Sequence, residues 1–486
     1  MKKSFYSLFA ALLFLTACSN DSEIVVPEDV TVQDFMWRSM NFWYFWQGEV
    51  PVLADSQLDN ADSYTSLLQS RATPEDFFES IQFSEDRFSF LRSDYTTLVN
   101  NLNGVSRSNG LEFGLVQFAN SQELFGYVRY IIPNSDASTK DITRGELFTG
   151  VNGQTLTLSN YISLLFGSDA TYTLNMADID GTTITPNGKE VTLTKEEGLL
   201  ENPIFIAQTL EVSGQKIGYL MYNGFRRDFN EQLNSAFGQF AADGVTDLVL
   251  DLRYNGGGSV NTSRLMASMI YGTNTNDLYL RQRWNDKIQG LFNSAQLEDY
   301  FARFVDEEET IAINTLNLNR VFVIGTNSTA SASELIMNGL DPYIDVILIG
   351  ETTRGKNEFS ITLVDDPGNS YIYDSDRESN INPDNSYGLQ PLVGRNENAV
   401  GFSDYTAGFT PDIALSEDIS NLGVLGQSDE PLLARALQEI TGLSTKRSFE
   451  VLLPAKVMGE SGQNTPLFQK SVLDKRIRVP QLELQP

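Results

Sequence analysis

Histidine is absent from all 486 residues of the chain. The usual base that activates a serine or cysteine nucleophile is therefore missing, as is the commonest ligand of catalytic zinc. Serine chemistry here needs another proton acceptor, and neutral lysine is the known substitute. Cysteine is nearly absent too. Cys18 stands alone, so there is no internal disulfide and no thiolate cage for a metal. No metal and no cofactor are expected. Positive charge is scarce, with 34 Lys and Arg against 64 Asp and Glu and a net charge of −30. A surface of that sign repels phosphate backbones and anionic bilayers, which excludes nucleic-acid partners and a polybasic membrane patch. The acidity reads as a solubilising surface. Beyond the first residues no apolar run is long enough to span a bilayer as a helix.

What is present begins with an address. Lys2 and Lys3 precede an apolar stretch from Phe5 to Leu15, too short for a spanning helix, which ends in Leu15-Thr16-Ala17-Cys18. This resembles a bacterial lipoprotein signal, which implies that Cys18 is lipidated and becomes the mature first residue. Residues 1–18 are then the signal peptide, and 19–30, polar and acidic, a short tether. The resemblance puts the protein in a bacterial cell envelope, held to the membrane by its lipid anchor only. Ser19 after Cys18 points to the outer membrane, on its periplasmic side or at the surface.

The body has an ordinary globular composition, 41% hydrophobic and 11% aromatic, and is long enough for several domains. Its expected fold class is mixed α/β and multidomain. Residues 31–104 read as a small N-terminal helical unit. Met36, Met40 and Trp43 fall on one helical face, and three of the four tryptophans (Trp37, Trp43, Trp46) lie in the same stretch. Thr73-Pro74-Glu75-Asp76 starts a further helix, with a threonine cap, proline at the first position and acids in the first turn. Residues 105–197 change to short alternating strands. There, Asp141 to Phe148 followed by Val151-Asn152-Gly153-Gln154 resembles a PDZ domain. That resemblance implies that Gly110, Leu111, Glu112 and Phe113 form a loop offering backbone N–H groups to a peptide's carboxylate, the peptide adding as an edge strand. A small β-domain of another kind would share the Asn-Gly turn. Residues 198–443 alternate strands (216–221, 246–252) with helices (228–242, 262–270), the rhythm of a largely parallel sheet covered by helices. Loops rich in Asp, Asn, Gly and Ser fill 365–410, a last helix falls at 429–443, and 444–486 read as an extended C-terminal arm.

Two residues stand out in this frame. Ser331 sits in Thr329-Ala330-Ser331-Ala332-Ser333-Glu334, after an apolar strand and a Gly325-Thr326-Asn327 turn. Lys356 follows a second apolar strand in Gly350-Glu351-Thr352-Thr353-Arg354-Gly355-Lys356. A helix beginning at Ala332 puts the Ser331 hydroxyl near a helix N-terminus, where developing negative charge is favoured. The N–H of Ala332 and one from Gly257 or Gly258 then serve as an oxyanion hole, glycine allowing the main chain close to a scissile carbonyl. For Lys356 to act as base, its ordinary pKa near 10.4 must fall toward neutrality, at a cost on the order of 4 kcal/mol supplied by burial. Each residue also has a structural alternative. Ser331 is then a helix N-cap, Lys356 a surface lysine, Gly256-Gly257-Gly258 a flexible turn, and Asp251 with Arg253 an ion pair.

Taken together, Asp251-Leu252-Arg253-Tyr254-Asn255-Gly256-Gly257-Gly258, then Ser331-Ala332-Ser333-Glu334, then Gly355-Lys356 resemble the C-terminal processing, or tail-specific, serine protease family. The 25-residue separation of Ser331 and Lys356 matches that family's spacing. The likeness extends over roughly residues 75–440, including Glu85-Asp86-Arg87-Phe88-Ser89-Phe90-Leu91. It implies a Ser331 nucleophile, a Lys356 base, a protease core of the ClpP/crotonase-like kind and a polypeptide substrate. The chain departs from the family in having Ser360 where glutamine often stands. The expected function is a lipid-anchored serine endopeptidase that captures peptides through its PDZ-like module. The rival reading is a non-catalytic peptide-binding lipoprotein on the same scaffold, and a third is a hydrolase of another acyl substrate.

Overall fold

The structure, a computed structural model, describes residues 24–102, 105–443, 449–464 and 471–473. Cys18 and the expected signal peptide lie outside the described residues. At the centre is a six-stranded sheet ordered Ile204–Val212, Gln215–Tyr222, Asp247–Asp251, Arg320–Gly325, Asp345–Gly350, Ile413–Ala414. The first two strands form an antiparallel hairpin, and each later pair is parallel. Asp247–Asp251 is buried at every position, which is why it reads as a continuous apolar run. Its side chains still sort into two layers. Leu248 and Leu250, with Val321 and Val323, join a core with Phe237, Met266 and Leu335 from three helices (Asn230–Asp243, Val260–Ile270, Ala332–Leu340). Val249, with Phe322 and Ile324, packs on the other face with Leu433 and Leu437 of helix Pro431–Thr441.

The N-terminal helix spans Thr31–Trp43, and Thr73 caps helix Pro74–Ser80 by accepting the Asp76 N–H at 3.1 Å. The apolar faces of these helices do not pack only on one another. Met36, Met40, Trp43, Phe77 and Phe78 belong to the same buried core as the central sheet. Trp43 packs on Trp284 with ring centroids 5.8 Å apart, and Asn285 donates to the carbonyls of Phe42 and Tyr44. An amphipathic period shows that a face is buried but not what it is buried against.

A second sheet, ordered Gly459–Glu460, Leu111–Gln117, Leu124–Ile131, Leu147–Val151, Thr171–Asp180, Thr183–Thr194, encloses its own core of Phe113, Val128, Phe148 and Leu174. Asn152 and Gly153 take positive φ values of 52° and 75° and turn the Leu147–Val151 strand back onto Gln154–Thr155. A third sheet runs Gly258–Ser259, Ser471–Val472, Glu358–Ser360, Leu392–Glu397, Leu278–Trp284, Glu298–Tyr300. The described residues of the C-terminal arm supply one short strand to each of these last two sheets, Gly459–Glu460 to the second and Ser471–Val472 to the third. No helix among the described residues is long and apolar enough to cross a membrane.

Candidate active site

The strand Arg320–Gly325 delivers the chain into a turn that ends at Ser331, from which helix Ala332–Leu340 departs. The turn is tied to the Asp251–Gly258 motif at every step. Thr326 donates its hydroxyl to the Arg253 carbonyl, and Thr329 donates to the Leu252 carbonyl at 2.8 Å. The Ala330 N–H (3.1 Å) and the Ser333 hydroxyl (3.0 Å) both donate to the carbonyl of Asn255. Asn255 in turn donates to the Tyr222 carbonyl and accepts the Gly257 N–H. The backbone of Ser331 is held at φ 64°, ψ −115°, a conformation that costs a non-glycine residue on the order of 1–3 kcal/mol and persists only where the surroundings enforce it.

Glu334 does most of the enforcing. Its carboxylate, fully buried, accepts the Ser331 N–H and the Lys356 N–H on one oxygen, each at 2.8 Å. Its other oxygen accepts the Gly355 N–H at 2.7 Å and the Thr353 hydroxyl at 2.5 Å. The amides of Ser331 and Lys356 are therefore no further apart than twice 2.8 Å. Burial pushes the Glu334 carboxyl up, and these donors pull against it. Sequence reasoning quoted Glu334 inside the serine motif without giving it a role. The signal was present, since serine followed three residues later by glutamate before an apolar helix is a capping box. Here both halves of the box are in position, but the Ser331 Oγ contact falls short of a hydrogen bond: Ser331 makes no side-chain cap bond, and its Oγ is buried with no hydrogen-bond partner among the described residues. Ser331 thus stands at the N-cap position of the helix without spending its hydroxyl on a cap hydrogen bond.

Lys356 is 1% exposed. Burial is the main influence on its amine and brings its pKa down to about 8, against the opposing pull of Glu358, Asp86 and Glu334. Its Nζ lies 5.3 Å from the Phe88 ring centroid. Arg87 donates to the carbonyl of Gly355 at 2.5 Å, and Asp86 organises this corner by accepting the N–H groups of Phe88 and Ser89, both at 2.9 Å. The segment 85–91, noted in the sequence only as part of a resemblance, thus forms one wall around the lysine.

The two glycines behave differently. The Gly257 N–H donates to Asn255 Oδ1 at 2.9 Å. It is committed, and the expectation that it offers an oxyanion donor is corrected. Gly258 is at φ 134°, and a Cβ there would meet the Phe225 carbonyl oxygen at 2.2 Å, so only glycine fits. Ala332, first in its helix, has an N–H with no intrahelical acceptor. Asp251 and Arg253 take the structural role. Arg253 is fully buried and pairs with Asp251 at 2.7 Å, Glu430 at 2.6 Å and Glu417 at 3.1 Å.

The peptide-carboxylate loop expected at Gly110, Leu111, Glu112 and Phe113 is not open. The Gly110 N–H donates to Ser108 Oγ and the Leu111 N–H to Asn109 Oδ1, both at 3.0 Å. Leu111 to Phe113 already belong to the Leu111–Gln117 strand, and the Phe113 N–H donates to Ser461 of the C-terminal arm at 2.9 Å. Short polar side chains satisfy the loop amides locally, which a motif read by spacing does not show.

A strained serine with an unpaired hydroxyl, a buried lysine whose amide shares a Glu334 oxygen with the serine amide, and the Ala332 N–H at a helix start are groups of the kind that acyl transfer uses. Two family models match the chain: peptidase family S41 at residues 216–373 and the peptidase S41 N-terminal domain at residues 31–90. Those two stretches resemble peptidase family S41, which supports a serine-type peptidase. It is 25% identical over 307 residues to carboxyl-terminal-processing peptidase 2, chloroplastic, of Arabidopsis thaliana, covering 61% of this chain and 53% of that protein. It is 30% identical over 155 residues to the carboxyl-terminal-processing protease of Picosynechococcus, covering 32% of each. The chain thus spans about half the length of the first of these curated relatives and about a third of the second. Among solved structures, a protein of Bacteroides fragilis assigned to the S41 proteases is 26% identical with a TM-score of 0.63, covering 84% of this chain and 97% of that one.

Proposed function

We propose that this chain is a serine endopeptidase working through a Ser331–Lys356 dyad. The observation that carries the reading is the shared Glu334 oxygen, which sets the two backbones side by side while the Ser331 hydroxyl is left unspent and Lys356 is dry enough to lose its proton. Neutral Lys356 takes the proton from Ser331 Oγ as that oxygen attacks the peptide carbonyl carbon. The N–H groups of Gly258 and Ala332 stabilise the resulting oxyanion. The lysine then passes its proton to the departing amine, leaving an acyl-serine. Water, deprotonated by the same amine, hydrolyses the ester and restores the hydroxyl. The substrate is extended polypeptide, and residues 105–197 form the PDZ-like unit that receives it along the Leu111–Gln117 strand. We also propose the lipid anchor at Cys18 and a cell-envelope location, which rest on the N-terminal sequence alone.

Labelling with a serine-reactive acylating probe tests the dyad. The native chain is expected to label at Ser331, Ser331→Ala to lose the label, and Lys356→Ala to slow it at least 100-fold. Equal labelling of all three proteins would end the catalytic reading.

A further inference from the structure

The C-terminal arm lies along both places where an extended substrate would add. On the second sheet, Gly459–Glu460 pairs antiparallel with Leu115 and Gly114 of the outermost strand, and the Met458 N–H donates to the Leu115 carbonyl at 2.9 Å. Ser461 extends the contact, its Oγ accepting the Phe113 N–H at 2.9 Å and donating to Glu112 Oε2 at 2.5 Å. Glu460 is buried against Arg129 and accepts the Ser328 hydroxyl at 2.8 Å, three residues before Ser331. The edge suited to strand addition is therefore occupied by the chain itself.

The second contact is at the candidate catalytic centre. Ser471–Val472 lies between two strands and runs parallel to both: Gly258–Ser259, which starts at the remaining glycine oxyanion donor, and Glu358–Ser360, which starts two residues after Lys356. The Leu473 N–H donates to the Ser360 carbonyl at 3.0 Å. Leu473 is 6% exposed and lines, with Val260, Leu265 and Phe301, a cavity of about 750 Å³. Strands in a sheet are spaced about 4.8 Å apart, so removing this strand would leave a slot roughly 10 Å wide, the width that one extended chain fills. One wall of the slot begins at Gly258 and the other two residues after Lys356.

We infer that the C-terminal arm occupies the substrate track in cis, holding the enzyme closed until it is displaced by a polypeptide that adds as a strand in the same two places. The inference rests on the catalytic reading for its consequence but not for its geometry. Two contacts on one tether compete with substrate at an effective concentration in the millimolar range, so displacement needs a polypeptide that engages both. The slot takes the substrate parallel to Gly258–Ser259 and seats an apolar side chain where Leu473 now sits.

The test uses the full-length chain with the arm weakened. Leu473→Pro removes the N–H bound to Ser360 without touching the dyad, and Met458→Pro does the same at the Leu115 contact. In a Ser331→Ala background, which silences chemistry, a fluorescent peptide of the sequence 456–473 is expected to bind the Leu473→Pro protein at least tenfold more tightly than the unweakened one. Hydrogen exchange at residues 358–360 should quicken in the variant and slow again when the peptide is added. With Ser331 present, Leu473→Pro should cleave an unfolded polypeptide at least fivefold faster through a lower KM. Equal peptide affinity in the two backgrounds overturns the inference, as does unchanged exchange. Tight peptide binding to the weakened protein together with no probe labelling at Ser331 upholds the inference and instead removes the catalytic reading. Should Leu473→Pro fail to fold, Met458→Pro carries the same comparison, with exchange read at residues 113–115.

Discussion

In the proposed dyad, Lys356 is the side chain that sets the working pH. Its folded pKa, about 8, lies below the ordinary value near 10.4, and burial is the chief reason. The neutral, base-competent fraction therefore grows as pH rises through about 8. kcat/KM is expected to climb about tenfold per pH unit below that point and to level above it, and a profile with an acid optimum would contradict the lysine base. The same displacement bears on stability. Between about 8 and 10.4 the unfolded chain holds a proton on this amine that the folded chain lacks, so stability rises with pH across that window. Below it, burying the amine costs about 3 kcal/mol. Lys356→Met is thus expected to abolish activity while stabilising the protein at pH 7 by about 1–3 kcal/mol, with the gain shrinking at pH 10. Denaturant unfolding at the two pH values checks this, and a Lys356→Met protein less stable than native at pH 7 would refute it. Lys356→Arg should be inactive at all pH values, because guanidinium keeps its proton.

At the scale of elements, the site is a strand–turn–helix held to a neighbouring strand end by one carboxylate. Glu334 is a positioning residue. Glu334→Gln keeps the shape but turns an NH₂ toward donors that now meet an oxygen. Misplacement of this kind costs on the order of 100-fold in kcat/KM, and that loss is the expected result. Removing the charge also removes one of the forces raising the Lys356 pKa, so the pH limb of the surviving activity should move to lower pH. A purely structural role would leave the limb where it was. The elements themselves were largely legible in sequence. The strand Asp247–Asp251 and the helices Val260–Ile270 and Pro431–Thr441 fall within a few residues of their expected places, because apolar period and caps are local signals. The commitment of the Gly257 amide to Asn255, and of the Gly110 and Leu111 amides to Ser108 and Asn109, was not legible. Spacing shows that an amide is present but not which side chain will reach it.

Across the whole molecule, a buried ionic seam joins the second sheet unit to the motif strand. Arg144 donates to Glu417 at 2.8 Å, to the Tyr254 hydroxyl at 2.7 Å and to the Arg129 carbonyl at 2.7 Å. Tyr254 also stacks on Tyr130, with ring centroids 5.8 Å apart. Burial alone would raise the Glu417 carboxyl, but Arg144 and Arg253 hold it at about 2. That folded pKa lies below the ordinary carboxylate value, so its contribution is present at neutral pH and is lost as pH falls toward 2. Among the described residues, Arg144→Ala leaves Glu417 with Arg253 as its remaining arginine partner, and breaking a buried pair in this way costs on the order of 3 kcal/mol. The variant is expected to lose cleavage of long polypeptides more than probe labelling at Ser331, because the two units lose their mutual placement while the dyad stays intact. Parallel losses in the two assays would remove the seam's coupling role.

The amino-acid sequence by itself determined which chemistry was open. In a chain without histidine and with one cysteine, a reactive serine needs another base, and the local motifs single out Ser331 and Lys356 as the pair proposed here. It also determined the central βα rhythm, because burial patterns and caps act over a few residues. Only the tertiary structure decided what shares a boundary. The N-terminal tryptophans enter the central core, Glu334 spans from the serine amide to the lysine amide, and Ser471–Val472 pairs between the strands Gly258–Ser259 and Glu358–Ser360. The physical reason is that such contacts join residues tens to hundreds of positions apart. They are settled by which buried groups find partners once the chain has collapsed, and no local period or spacing encodes that pairing.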